Sequence, residues 1–132
     1  MVGQRVFTNS FDPNILLWIV KKDYMEFFKK LYVSATMEKK KEKVIRRLKE
    51  GKFNLSCYVI TLTENPANQL EFYDSAFLLQ KNYKKDSMFV VGLASCYEEA
   101  LELVKKISED TYEKRKDVKI REFIMEEQRS QN

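Results

Sequence analysis

The residue of this sequence best suited to covalent chemistry is Cys96, which follows an apolar segment and opens a helical pattern. A thiol at a helix N-terminus is stabilised as a thiolate by free backbone N–H groups and by the helix dipole. α/β proteins also bind ligands in such strand–helix turns, at the carboxyl ends of parallel strands. A second turn of this kind lies near Asn65, and we expect the two turns to share one crevice. The predicted ligand-binding residues are Thr63, Glu64, Asn65, Asn68, Ser95, Cys96 and Tyr97.

Other features of the sequence argue against catalysis by this thiol. Glu98, Glu99 and Glu102 follow Cys96 closely, and their negative charge opposes thiolate formation. The chain contains no His, which excludes a Ser-His-Asp triad, a Cys-His pair and a His-ligated zinc. Its 2 Cys cannot build a four-thiolate zinc site. Cys96 is therefore either a candidate nucleophile or an inert packed thiol, and no cofactor or metal is expected.

A second candidate site is the basic segment from Met37 to Lys52. Lys39, Lys43 and Arg46 recur at three- and four-residue steps, which places them on one side of a helix. Such a stripe can neutralise several backbone phosphates of a nucleic acid. The segment has no aromatic residue, Asn or Gln, so base contacts are not expected. The alternative is a plain solvated face, since three Glu interrupt it. The predicted nucleic-acid-binding residues are Lys39, Lys40, Lys43, Arg46, Arg47, Lys49 and Lys52.

The charge of the chain is unevenly distributed along its 132 residues. Residues 1–52 hold 13 Lys/Arg and 6 Asp/Glu, whereas residues 53–132 hold 11 and 14. A basic N-terminal element on a mildly acidic body is thereby predicted, and it suits an anionic partner. Residues 1–8 lack the apolar stretch of a secretory leader, and the apolar run Ile15–Val20 is too short to span a membrane. These features predict a cytoplasmic protein with reduced thiols.

Two helices are predicted in the N-terminal part. Asp12-Pro13 is typical of a helix start, and apolar residues at three- and four-residue steps then predict a helix from Pro13 to Ser34. The β-prone run Ile15–Val20 leaves a strand there as the alternative. Met37 to Lys52 forms the second predicted helix, which Gly51 ends.

Residues 55–124 are predicted to alternate between strands and helices. The pattern favours a three-stranded, mainly parallel sheet in β-α-β-α-β order, covered by the N-terminal pair of helices. We expect one α/β domain over residues 1–124, consisting of a basic element (1–52) and a body (53–124), followed by a polar tail at 125–132. Gly92, inside the central strand, predicts a bulge or the close packing of a neighbouring helix. The predicted elements are a strand at Cys57–Thr63, a helix from Asn65-Pro66 to Tyr83, a strand at Met88–Ala94, a helix from a Ser95/Glu98 capping box to Arg115, and an edge strand at Val118–Ile124.

These patterns predict a non-enzymatic interaction or regulatory protein that contacts nucleic acid through its basic helix. Two alternatives remain open: a small-ligand-binding or thiol-dependent enzyme that uses the turns around Asn65 and Cys96, and a subunit of a protein complex. A protein partner or a homodimer is expected, because a three-stranded sheet has open edges. The crevice hypothesis requires neighbouring strands that run in the same direction.

Overall fold

A computed structural model describes residues 25–52, 56–63, 69–76 and 88–130 of the chain. Four strands and three α-helices are present in these ranges, with a 3₁₀ turn at Glu38–Lys40 before the first helix. The strands are β1 (Glu26–Val33), β2 (Tyr58–Leu62), β3 (Leu70–Asp74) and β4 (Phe89–Ala94), and the helices are α1 (Lys41–Lys49), α2 (Tyr97–Arg115) and α3 (Ile120–Arg129).

The four strands form one mixed sheet in the order β1-β4-β2-β3. β1 is parallel to β4, whereas β2 is antiparallel to both β4 and β3. The predicted α/β class is confirmed, but the predicted three-stranded, mainly parallel sheet is wrong. β4 lies inside the sheet with Val90, Val91 and Leu93 at 0% exposure, as its continuous apolar run predicts for a strand covered on both sides.

Helices cover both faces of this sheet. On one face, Val44 and Leu48 of α1 pack into a cluster with Val59 and Val90 of the sheet. α2 and α3 cover the opposite face, where they pack against Ile60, Val91 and their neighbours. The predicted cover by an N-terminal helix pair is therefore wrong for the described residues, since much of the cover comes from C-terminal helices.

β1 lies where the sequence pattern predicts the second half of a helix from Pro13 to Ser34. Its apolar residues fit the helical period, but they alternate between the two sheet faces: Phe27 and Leu31 pack on the α1 side, and Phe28 and Tyr32 on the other. Hydrogen bonding to β4 decides the outcome, because it satisfies the backbone of this segment. Residues 13–24 of the predicted helix, with the alternative strand at Ile15–Val20, lie outside the described residues.

β3 replaces part of the helix predicted from Asn65-Pro66 to Tyr83. Leu70 pairs with Leu62 and Asp74 with Tyr58, so β2 and β3 form an antiparallel pair. Alternation of Phe72 and Tyr73 between the two core clusters shows the period of two that a strand requires. The rest of the predicted helix falls outside the described ranges.

α3 occupies the positions of the predicted edge strand Val118–Ile124 and of most of the predicted polar tail. Ile120, Phe123, Ile124 and Glu127 are its buried residues, at steps of three and four that match a helix. Its first N–H, on Ile120, donates to Oε1 of Gln69 at 2.6 Å, which satisfies a helix-start donor. The strand and tail predictions are wrong because this segment packs as an amphipathic helix against the sheet.

Several other local predictions agree with the structure. β2 and β4 coincide with the predicted strands, and α1 and α2 with the predicted helices. Gly51 adopts φ 73° and its N–H donates to the Leu48 carbonyl at 3.1 Å, so it ends α1 in the left-handed conformation that glycine tolerates best. None of the helices within the described ranges is long and apolar enough to cross a membrane.

Glu127 of α3 forms ion pairs with β1 and α2, and these ion pairs predict a loss of stability in acid. Its carboxylate accepts from Lys30 Nζ of β1 at 2.6 Å and from Lys114 Nζ of α2 at 3.1 Å. These two lysines hold the pKa of Glu127 below its usual value of 4.5. A lowered folded-state pKa contributes stability above the unfolded-state pKa, and this contribution disappears as the pH falls through the folded-state pKa.

Glu127→Gln is therefore expected to lower the free energy of unfolding at neutral pH. In acid, the free energies of unfolding of the variant and of the wild type should become more similar. Denaturant titrations between pH 7 and pH 3 measure this, with the exposed Glu109→Gln as the matched control. A Glu127→Gln deficit that is equal at both ends of this range would contradict the prediction.

Candidate functional site

The basic stripe, defined as Lys39, Lys43 and Arg46, lies on the outer side of the first helical segment. α1 packs on the sheet through Val44 and Leu48, which are 5% and 3% exposed. The three basic residues are all exposed. This segment thus has an apolar side that faces the sheet and a cationic side that faces solvent, as the sequence period predicts.

Three acidic residues lie near the basic stripe, and one of them, the exposed Glu42, is three residues after Lys39 and four before Arg46. Glu38 pairs with Lys41 at 3.5 Å and Glu50 with Lys52 at 3.3 Å. Within the described ranges, no carboxylate forms an ion pair with a member of the stripe. The positive charge of the stripe therefore faces solvent without a partner from the described part of the chain.

The other predicted nucleic-acid-binding residues have different surroundings. Lys49 lies over the ring of Phe27, with Nζ 5.5 Å from its centroid, a cation–π contact. Lys40 and Arg47 are half-buried, and Arg47 has an interaction of its own. The structure thus divides the predicted set into an outward stripe and flanking residues that already hold a contact or are less accessible.

Ser95, Cys96 and Tyr97 lie at the carboxyl end of β4, where it leads into α2. The neighbouring parallel strand β1 ends at the same edge and leads toward α1, on the opposite face of the sheet. Adjacent parallel strands whose connections leave in opposite directions form a topological switch point, the usual place for a ligand crevice in α/β sheets. The turn that contains Cys96 and the loop after Val33 therefore lie side by side at this edge of the sheet.

Glu99 links these two loops. Its Oε1 accepts from the Thr36 hydroxyl at 2.7 Å and from the Ser95 backbone N–H at 3.3 Å. The hydrogen bond from Thr36 is the largest cause that lowers the pKa of Glu99, and the nearby Ser34 hydroxyl is the second. The predicted capping box of Ser95 and Glu98 is wrong, because the N-cap residue is Cys96 and Glu99 reaches back instead.

Two hydroxyls at this edge, those of Ser34 and Ser95, are buried and have no hydrogen-bond partner among the described residues. Ser34 Oγ lies near the Glu99 carboxylate and lowers its pKa, but the two groups lack hydrogen-bond geometry. The Cys96 thiol is half-buried and forms no hydrogen bond with the described residues. Cys57 is 0% exposed, and burial raises the pKa of its thiol to about 11, as expected for a core cysteine.

Thr63 and Ser95, which belong to the two predicted strand–helix turns, do not lie together. β2 and β4 are antiparallel, with Leu62 opposite Phe89 and Tyr58 opposite Ala94. Thr63 therefore lies beside the start of β4, at the other edge of the sheet from Ser95. There its carbonyl accepts a hydrogen bond from Arg121 of α3. Glu64, Asn65 and Asn68 lie outside the described residues.

No group of three or more Cys, Asp or Glu in the described ranges is arranged to hold a metal ion. Comparison of the chain with protein-family models, with curated proteins and with solved structures finds no match in any of the three. The case for a function therefore depends on the chemistry of the described surfaces alone.

Sequence patterns predict the basic stripe but miss the hydrogen bond between Thr36 and Glu99 beside the Cys96 turn. Thr36 and Glu99 meet across 63 positions of sequence, a distance over which no helical or strand period carries information. The pairing of β1 with β4 brings them together, and β1 itself is not predicted. A signal for Glu99 does exist, since an acidic residue three positions after an N-cap is typical of helix starts.

Proposed function

We propose that this chain is a non-enzymatic binding protein that contacts the nucleic-acid backbone through its basic stripe. The observation that supports this proposal is the exposure of Lys39, in the 3₁₀ turn, and of Lys43 and Arg46, on α1, without ion pairs to described residues. Ammonium and guanidinium groups in this setting bind phosphates by releasing condensed counterions.

The dimensions of the stripe fit a few consecutive phosphates. The seven residue steps from Lys39 to Arg46 span about 10 Å along a helix axis. One strand of duplex carries about three phosphates over that length. The stripe contains no aromatic or amide side chain to read bases, so the proposal is backbone binding without sequence preference.

The thiol-dependent alternative loses part of its support. It assumed that the turns near Asn65 and Cys96 share one crevice, and the antiparallel β2–β4 pairing separates Thr63 from Ser95. The backbone-binding proposal needs only the exposure and spacing of side chains on one helical segment, so it is preferred.

Charge reversal tests the proposal. Lys43→Glu/Arg46→Glu is expected to weaken binding of a duplex oligonucleotide about tenfold or more at low salt, because two phosphate contacts become repulsive. Fluorescence anisotropy against salt concentration measures this. For the wild type, the plot of log affinity against log salt should have a slope of about −2 to −3, and the variant should have a shallower one.

The matched control is Lys105→Glu, which reverses an exposed lysine on α2, across the sheet from the stripe. It should leave the affinity close to that of the wild type. Equal losses in the control and in the stripe variant would mean that net charge alone drives binding, and an affinity insensitive to salt would refute phosphate contact.

A further inference from the structure

A cleft of about 420 Å³ lies between β1, α2 and α3, on the face of the sheet opposite α1. Its volume falls within the range of small-molecule sites. Both charge signs and two aromatic rings line it, so it combines polar walls with apolar surface. The lining residues are Lys30, Tyr32, Asp110, Glu113, Lys114, Phe123 and Glu127.

One end of the cleft carries a positive charge. Lys30 and Lys114 both pair with the carboxylate of Glu127, so two ammonium groups converge on one anion and one positive charge is uncompensated. Each ammonium has three N–H donors. The two lysine side chains are 46% and 64% exposed, so their remaining donors can reach a second carboxylate in the cleft.

The other end carries a negative charge. Asp110 accepts from the Tyr32 hydroxyl at 2.7 Å and from Lys106 Nζ at 3.1 Å. Burial, reinforced by Asp110, raises the pKa of Tyr32, so its phenol stays protonated and continues to donate. Glu113, three residues after Asp110 on α2, is exposed and forms no ion pair within the described part of the chain, so it adds a negative charge to the lining of the cleft.

Asp110 and Lys114 are one turn apart on α2, where four residues rise about 6 Å along the axis. The cleft is also lined by Phe123, which is 6% exposed, and by Tyr32, whose ring stacks on Phe28 at 6.3 Å between centroids. A short methylene chain can cover this surface.

From these contacts we infer that the cleft binds a small linear zwitterion, an ω-amino acid whose ammonium and carboxylate are separated by several methylenes. The ligand carboxylate pairs with Lys30 and Lys114, its ammonium pairs with Glu113 and Asp110, and its methylenes lie on Phe123. A ligand with one charge leaves one end of the cleft without a partner, and an α-amino acid is too short to reach both ends. This inference is independent of the basic stripe on the opposite face.

The test compares four probes that differ in charge and length. 5-Aminopentanoate has the required separation when extended, pentanoate lacks the ammonium, pentylamine lacks the carboxylate, and glycine is too short. In ¹H–¹⁵N correlation spectra, 5-aminopentanoate is expected to shift the resonances of residues 110–114 and 123–127 saturably. It should bind about tenfold more tightly than any other probe, because each charge-assisted contact adds affinity.

Matched variants assign the binding to this cleft. Lys114→Gln and Glu113→Gln should each weaken binding of 5-aminopentanoate about tenfold, whereas the exposed Lys105→Gln and Glu109→Gln, which do not line the cleft, should not. Thermal unfolding of each variant checks the fold, and Glu113→Gln removes no described ion pair. Absence of saturable shifts, or equal affinity for pentanoate and 5-aminopentanoate, overturns the inference.

Discussion

Ile124→Ala is expected to lower the free energy of unfolding by about 2–5 kcal/mol, the usual cost of deleting a buried isoleucine side chain. Ile124 is 0% exposed and packs in the core cluster with Ile60, Val91 and Ile107. Its removal leaves a cavity beneath α3 that neighbouring side chains fill only in part. Chemical denaturation of wild type and variant measures the loss.

The matched control for this prediction is Val118→Ala, immediately before α3. Val118 is 62% exposed, so its truncation should change the free energy of unfolding by less than about 0.5 kcal/mol. In the edge strand predicted from the sequence, Val118 and Ile124 would share one face. Equal effects of the two substitutions would therefore contradict the helix and favour the strand.

The second large effect is expected at Gly92, in the centre of the sheet. A Cβ atom there would lie 3.0 Å from Ile60 Cδ1 and 3.3 Å from the Tyr32 carbonyl oxygen. Strands on both sides hold the backbone of β4 in place, so the added methyl group has little room. Gly92→Ala is expected to destabilise the protein by about 1–3 kcal/mol through overpacking, as measured by denaturant titration.

A double-mutant cycle isolates the cause. Ile60→Val removes Cδ1, the atom closest to the new methyl group, at a cost of about 0.5–1.5 kcal/mol on its own. Combined with Gly92→Ala, it should relieve part of the clash, so the two substitutions together cost less than the sum of their separate effects. Strict additivity would show that the steric contact with Ile60 is not the source of the loss.

Gly92 also illustrates what the sequence predicts well. A glycine within an apolar strand predicts a bulge or a close neighbour, and the pairing with β2 shifts register between Ile60 and Thr61, beside Gly92. The close neighbours are strands rather than a helix. Segments with an unambiguous local pattern are predicted correctly: Phe89–Ala94 is a short apolar run, and the segment from Tyr97 has apolar residues at helical steps.

The errors fall on segments whose apolar residues fit two periods. Phe27, Phe28 and Leu31 suit a helix as well as a strand, and only pairing with β4 decides between them. Ile120 and Ile124 share one face of a strand and also lie at helical steps. There the burial of Phe123 at 6% exposure favours the helix, since in a strand its side chain would point away from theirs.

The candidate sites follow the same division. The basic stripe lies on one helical segment, so its spacing in the sequence is enough to predict it. The cleft between β1, α2 and α3 contains Lys30, Asp110 and Glu127, which come together only when these three elements pack. Contacts of this kind depend on tertiary structure, and no local pattern in a single sequence encodes them.

The position of β4 between β1 and β2 has a consequence for synthesis on the ribosome. Within the described sheet, β1 pairs only with β4, which is translated after β2 and β3. The nascent chain can close the β2–β3 pair early, but Glu26–Val33 has no described strand to join until Phe89–Ala94 has emerged. Until then its aromatic side chains are exposed to chaperones and to other nascent chains. Sheet completion is therefore a late, cooperative step that awaits the second half of the polypeptide.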